Sequence, residues 1–174
     1  MIDNGPMIAI TSPPPPSLIP SCELVDLCSE RAVWAISVRD ARVVYMCEGG
    51  GADASDYVVL VDALAFYDAW RAAGAGLGNG FVCPPLARMP DDHKYPHAAA
   101  GFSSGRDHPV PLANIGYYRG QIGFGDGITR TLWLLANGAA AFPLRVDSLE
   151  EGLALCERVG LGTPPYPRSR IGKT

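Results

Sequence analysis

The chain is predicted to fold as one α/β (α+β) domain. Three observations lead there. Runs of strand character alternate with runs at helical spacing along the chain. The length, 174 residues, is enough for one buried core and requires no second. The composition, 48% apolar and 18% charged, suits a globular protein, and no unbroken apolar run approaches the ~18 residues of a membrane span.

The first element, "TSPPPPSLIPS", enters neither a helix nor a central strand, because each proline lacks an N–H and has a fixed φ. It reads as an extended polyproline arm over residues 1–21, ahead of a domain over 22–161. Within the domain, "AVWAISV" and "RVVYMC" are β-rich runs joined by "RDA", a hairpin turn, and "DYVVLV" is a third strand. "DALAFYDAWRAAG" places Ala63, Phe66, Tyr67 and Trp70 at helical spacing, with Leu64 widening the stripe and Gly74 ending it. Asp68 points away from that face and Arg71 falls at its margin.

From Gly74 to Pro111 no period is visible, so this stretch is expected to be a long loop of the kind that often carries function. "PVPLANIGYY" restores apolar character, with Leu112 and Ile115 about one helical turn apart. In "ITRTLWLLANG", Ile128, Leu132 and Leu135 share a helical face, and Asn137-Gly138 is a natural stop. Trp133 follows Leu132 directly, so one of the two is expected to leave the stripe, which makes Trp133 a candidate partner contact. All three tryptophans otherwise suit a core. "AAFPLRV" is a strand, and "DSLEEGLALCERVG" is a helix capped by Ser148 or Asp147 and ending near Arg158 and Gly160. Residues 162–174, "GTPPYPRSRIGKT", are expected to form a loose basic tail.

A net charge of −4 argues against broad nonspecific binding to nucleic acid. Twelve arginines stand against two lysines, Lys94 and Lys173. Arginine suits phosphate and carboxylate recognition, although a GC-rich coding sequence yields the same bias. The five cysteines are scattered with no CxxC pair, as for reduced thiols in a cytoplasmic protein. The N-terminus has no basic region and its apolar stretch is broken by prolines, so it does not resemble a signal peptide, and no direct membrane insertion is expected.

The candidate chemistry centres on "QIGFGDGITR". Gly123, Gly125 and Gly127 alternate just before the Ile128 helix, whose free amides and dipole favour an anion, and Arg130 sits one turn in. A Walker A loop is excluded because it needs a lysine here. A dinucleotide fingerprint fails because its last glycine would fall on Ile128 or Arg130. A phosphate seat and a plain strand-to-helix turn capped by Asp126 both remain open. On the first reading Gly125, Gly127, Thr129, Arg130 and Thr131 bind phosphate, and Asp126 either competes with the ligand or holds a divalent metal beside it. "DDHKYPH" adds Asp92 as a metal candidate and Lys94 as a cation for phosphate, with Arg106 and His108 further along; a solvated loop is the alternative. Ser104 and His108 form no activating pair in sequence, so no triad is proposed.

"FGDGITRTLWLLANGAAAFPLRV", together with "MPDDHKYPHAAAGFSSGRDHPVPLANI" before it, resembles the plasmid fertility inhibition factors, a group of the ParB/sulfiredoxin superfamily. The resemblance runs from about Trp70 to Gly160. It implies a single ParB/sulfiredoxin-like domain with a small mixed sheet and flanking helices. It carries the superfamily's phosphate-contacting arginine onto Arg130 and its loop glycine onto Gly127, so Asp126, Arg130 and Lys94 become the catalytic candidates. Sulfiredoxins need a cysteine where this chain has Ile128, so sulfinic acid reduction is not expected. ParB proteins carry a second basic residue where Thr129 and Thr131 flank Arg130, which weighs against centromere binding. The implied function is to block conjugative DNA transfer by a competing plasmid. The implied partner is the type IV coupling protein or its transfer nucleoprotein complex, with DNA a further partner, on the inner face of the membrane. Some superfamily members hydrolyse nucleotides or cut DNA, which implies ATP or CTP with Mg²⁺ as the cofactor of an ATPase or DNase activity.

Overall fold

The computed structural model describes residues 22–26, 32–49, 55–74 and 80–167. The proline-rich arm expected over 1–21, Cys28, and the tail from 168 onward lie outside these residues.

Two mixed sheets carry the strands. In the first, β1 (Cys22–Asp26), β2 (Val33–Ser37) and β3 (Val43–Cys47) run antiparallel, and the two-residue β5 (Val110–Pro111) adds in parallel beside β3. The expected β2–β3 hairpin is present, closed by a 3-10 turn at Arg39–Ala41 in which Asp40 and Ala41 take φ 61° and 56°. The second sheet has the order β7-β6-β8-β4-β9. Its strands are β4 (Tyr57–Asp62), β6 (Ala113–Tyr118), β7 (Gln121–Asp126), β8 (Ala141–Val146) and β9 (Tyr166–Pro167). All its pairings are antiparallel except β6 with β8. Leu112 and Ile115, a helical turn apart in sequence, therefore lie on extended backbone, and both are buried.

Helix α1 (Ala63–Ala72) is capped by Asp62, whose carboxylate accepts from Ala65 N at 2.8 Å. Ala63, Phe66, Tyr67 and Trp70 face the core as their spacing predicts. Leu64 does not widen that stripe; it is 65% exposed, because each step along an α-helix turns ~100°. Phe66 packs edge-on against Phe142 at 5.5 Å, and Trp70 meets Phe124 at 4.6 Å, which ties α1 to β7 and β8. Helix α4 (Leu149–Val159) starts as expected, with Ser148 Oγ accepting from Glu151 N at 3.2 Å.

The stretch from Gly74 to Pro111 is not one loop. It contains a 3-10 segment, Leu86–Asp91, and helix α2 (Tyr95–Phe102). In α2 the inward residues are Ala98 and Phe102, and "HAAAG" gives small side chains little contrast between faces, so no period stands out. This covering changes the reading of α3 (Ile128–Ala136). Thr131 through Leu135 are all buried, and Trp133 stacks on Phe102 at 4.4 Å with Arg42 over its ring. Trp133 is core, not a partner contact, because α2 and the 3-10 segment close the face left open by the sheet. The tail is also docked as far as Pro167: β9 pairs with β4, and Pro165 is buried against Gly152. Among the described residues no helix is long and apolar enough to cross a membrane, and Cys22, Cys47, Cys83 and Cys156 are free thiols.

Candidate functional site

The glycine ladder is a strand, not a loop. Gly123 lies opposite Gly116 in the β6–β7 ladder. Asn114 faces Asp126 while Ile115 faces Phe124, so Gly125 is the extra residue of a β-bulge; a Cβ there would lie 3.3 Å from Asn114 Nδ2. Only Gly127 forms the turn into α3. Its φ is 93°, and a Cβ on it would sit 2.5 Å from Ala113 Cβ and 2.6 Å from Ala113 Cα. Conformation and space both demand glycine.

Gly127 is therefore the cap residue, and Asp126 is not: no side chain caps α3. The Asp126 carboxylate instead reaches one turn forward to the Arg130 guanidinium as a close ion pair. The other side of the guanidinium is held by the chain, with Nη1 donating to Pro111 O at 2.7 Å and, more weakly, to Leu112 O at 3.4 Å. Partial burial pushes the Asp126 carboxyl pKa up. The hydrogen bond and charge of Arg130, the Gly127 amide and the charge of Arg145 outweigh it and hold the carboxyl below its ordinary value.

These groups open onto a cleft of about 600 Å³ between α2 and the start of α3. Lys94, Gly125, Asp126, Gly127, Thr129 and Arg130 line it together, as do His97 and His108. Of the remaining candidates, Thr131 is buried, its Oγ1 donating to Gly127 O at 3.1 Å, so it stitches the turn and cannot reach a ligand. Arg106 is not among the lining residues and donates to Val25 O at 3.4 Å on β1. Asp92 accepts from Lys94 N at 2.9 Å and faces a separate, smaller cleft with Arg88 and Phe81. The two carboxylates singled out as metal candidates, Asp126 and Asp92, thus face different clefts, and among the described residues no three His, Cys, Asp or Glu gather as a metal site would need.

His97 joins the site because α2 is a helix: Lys94, His97 and Gly101 are spaced at i, i+3 and i+7 along one side. That signal was present in the sequence but hidden by the absence of a visible period. The carbonyl anchors at Pro111 and Leu112 left no sequence signal at all.

Fold and site define a mixed α/β protein with an arginine-bearing cleft where an edge strand turns into a buried helix. The family model for plasmid fertility inhibition factors matches residues 58–160, which covers both the second sheet and the cleft. Protein osa of Shigella flexneri is 38% identical over 138 residues, spanning 76% of this chain and 70% of that protein. A crystal structure of the oncogenic suppression activity protein, a plasmid fertility inhibition factor, in a gold(I) cyanide derivative, superposes with a TM-score of 0.79. It shares 35% identity and covers 90% of this chain and 85% of the other. The chain belongs to the plasmid fertility inhibition factor family.

Proposed function

We propose that this fertility inhibition factor blocks conjugative DNA transfer by a competing plasmid by acting on the type IV coupling protein or the nucleoprotein handed to it, at the cytoplasmic side of the membrane. The observation that carries the reading is the family match over residues 58–160, which includes every element that builds the cleft from β6 to α3. Interference of this kind needs a protein that docks on a transfer component and competes there. A second plasmid's mating efficiency, measured with this chain expressed alone in the donor, tests it. Transfer is expected to fall by tenfold or more, and unchanged transfer across several plasmid types would overturn the proposal.

A second reading concerns how inhibition is exerted. Lys94 and Arg130 line one cleft, and that arrangement supports a phosphate-binding site of the ParB/sulfiredoxin kind, suited to a nucleotide such as ATP or CTP, or to the backbone of DNA. In this reading Arg130 and the Gly127 turn hold a phosphoryl group and Lys94 neutralises charge from the α2 side. Mg²⁺ carried by a nucleotide would find one protein carboxylate in the cleft, Asp126. In the same mating experiment, Arg130→Ala separates the two: inhibition that survives it comes from docking alone, and inhibition lost with the fold intact comes from the cleft.

A further inference from the structure

The cleft's arginine is bound in two different ways on its two sides. Nη1 is fixed by the carbonyl oxygens of Pro111 and Leu112, which are backbone and belong to the segment joining the two sheets. Nη2 is taken by the Asp126 carboxylate. The two partners of that ion pair differ in exposure: the Arg130 side chain is 16% exposed and the Asp126 side chain 73%. The cation is anchored and its cover faces solvent.

A carboxylate held in this way presents oxygens to the Arg130 Nη2 donor, next to the opening amide of the turn. A phosphoryl group entering the cleft would seek that same donor edge. The turn forces the overlap. Gly127 at φ 93°, packed against Ala113, sends the chain into α3 so that residue 126 stands directly before the helix and one turn from residue 130.

We propose that Asp126 is a tethered competitor for the cleft's anionic ligand: its carboxylate stands on the donor edge of Arg130, and a phosphoryl group gains the site by displacing it. This rests on the phosphate-binding reading above and adds its regulation. The carboxylate half of the pair stands in solvent, so displacement is feasible, yet an internal carboxylate is always present and lowers the apparent affinity for every incoming anion. A ligand with one negative charge exchanges like for like and gains little. A dianionic phosphoryl group brings a second charge to the same Nη2 edge and gains the attraction of Lys94, with His97 and His108 beside it. Asp126 thereby sets a threshold of ligand charge.

The test is calorimetric titration of the full chain with inorganic phosphate, in buffer stripped of divalent metal on a chelating resin so that metal plays no part. Asp126→Asn, which keeps the shape and removes the charge, is expected to bind phosphate about fivefold tighter than the unaltered chain. Asp126→Ala serves as the second variant, with thermal melts to establish that each is folded, and Arg130→Ala is expected to lose binding. If Arg130→Ala loses binding while both Asp126 variants bind no tighter, the competitor proposal is overturned and the phosphate seat stands. If no form binds phosphate, or Arg130→Ala binds like the unaltered chain, the seat itself fails and the proposal with it.

Discussion

Gly127 is the residue on which the geometry of the cleft turns. Its left-handed φ and its contact with Ala113 together leave no room for a side chain. Gly127→Ala is expected to destabilise the domain by about 2–4 kcal/mol, from backbone strain and overpacking combined, as read by urea unfolding with the m-value unchanged. Gly125→Ala comes closest to the end of the Asn114 side chain, at 3.3 Å, with the Asn114 backbone at ordinary contact distance, and should cost less than half as much. Equal costs at the two positions would mean that the turn relaxes around a Cβ. Asp126 and Arg130, both singled out from the sequence, do meet in the fold. The role foreseen for Asp126 as a helix cap does not hold, because the left-handed Gly127 is itself the cap and turns the carboxylate toward the guanidinium.

At the scale of the element, α3 explains both what sequence patterning captures and what it misses. The Ile128, Leu132 and Leu135 spacing located the helix and one buried face, and Asn137 and Gly138 ended it, Gly138 at φ 70°. The second face was invisible because its cover, α2, has too little amphipathic contrast to announce itself. Trp133→Ala is expected to cost about 3–5 kcal/mol, measured by chemical denaturation, because the ring is buried against Phe102 under Arg42. A loss below ~0.5 kcal/mol would indicate a surface residue instead. The same cover makes the site: Lys94 and His97 reach the Arg130 cleft only because α2 lies across the start of α3.

At the scale of the whole molecule, the C-terminal segment closes the second sheet. β9 covers the outer edge of β4, and Pro165 packs on Gly152 of α4 at the distance where a Cβ on that glycine would begin to clash. Ending the chain at Leu161 is expected to cost about 2 kcal/mol, or roughly 4–8 °C in Tm for a domain of this size, as a thermal melt would record. An unchanged Tm would show the segment to be only laid against the surface. The cost should fall on the sheet and leave the cleft intact, since among the described residues none that lines the cleft lies beyond Arg130.

The sequence by itself determined the α/β class, the strands β2, β3, β4 and β8, the helices α1, α3 and α4, the family, and the pairing of a turn glycine with Arg130. Each of these is written in local periods, caps and short motifs, whose physics acts over a few residues. Only the tertiary structure decided that the glycine ladder is a bulged edge strand, that Trp133 is covered, that Asp92 and Arg106 do not line the cleft, and that Asp126 sits on Arg130. Those outcomes depend on which surfaces meet, and the register between β6 and β7 and the crossing of α2 over α3 are set by packing between residues far apart in the chain.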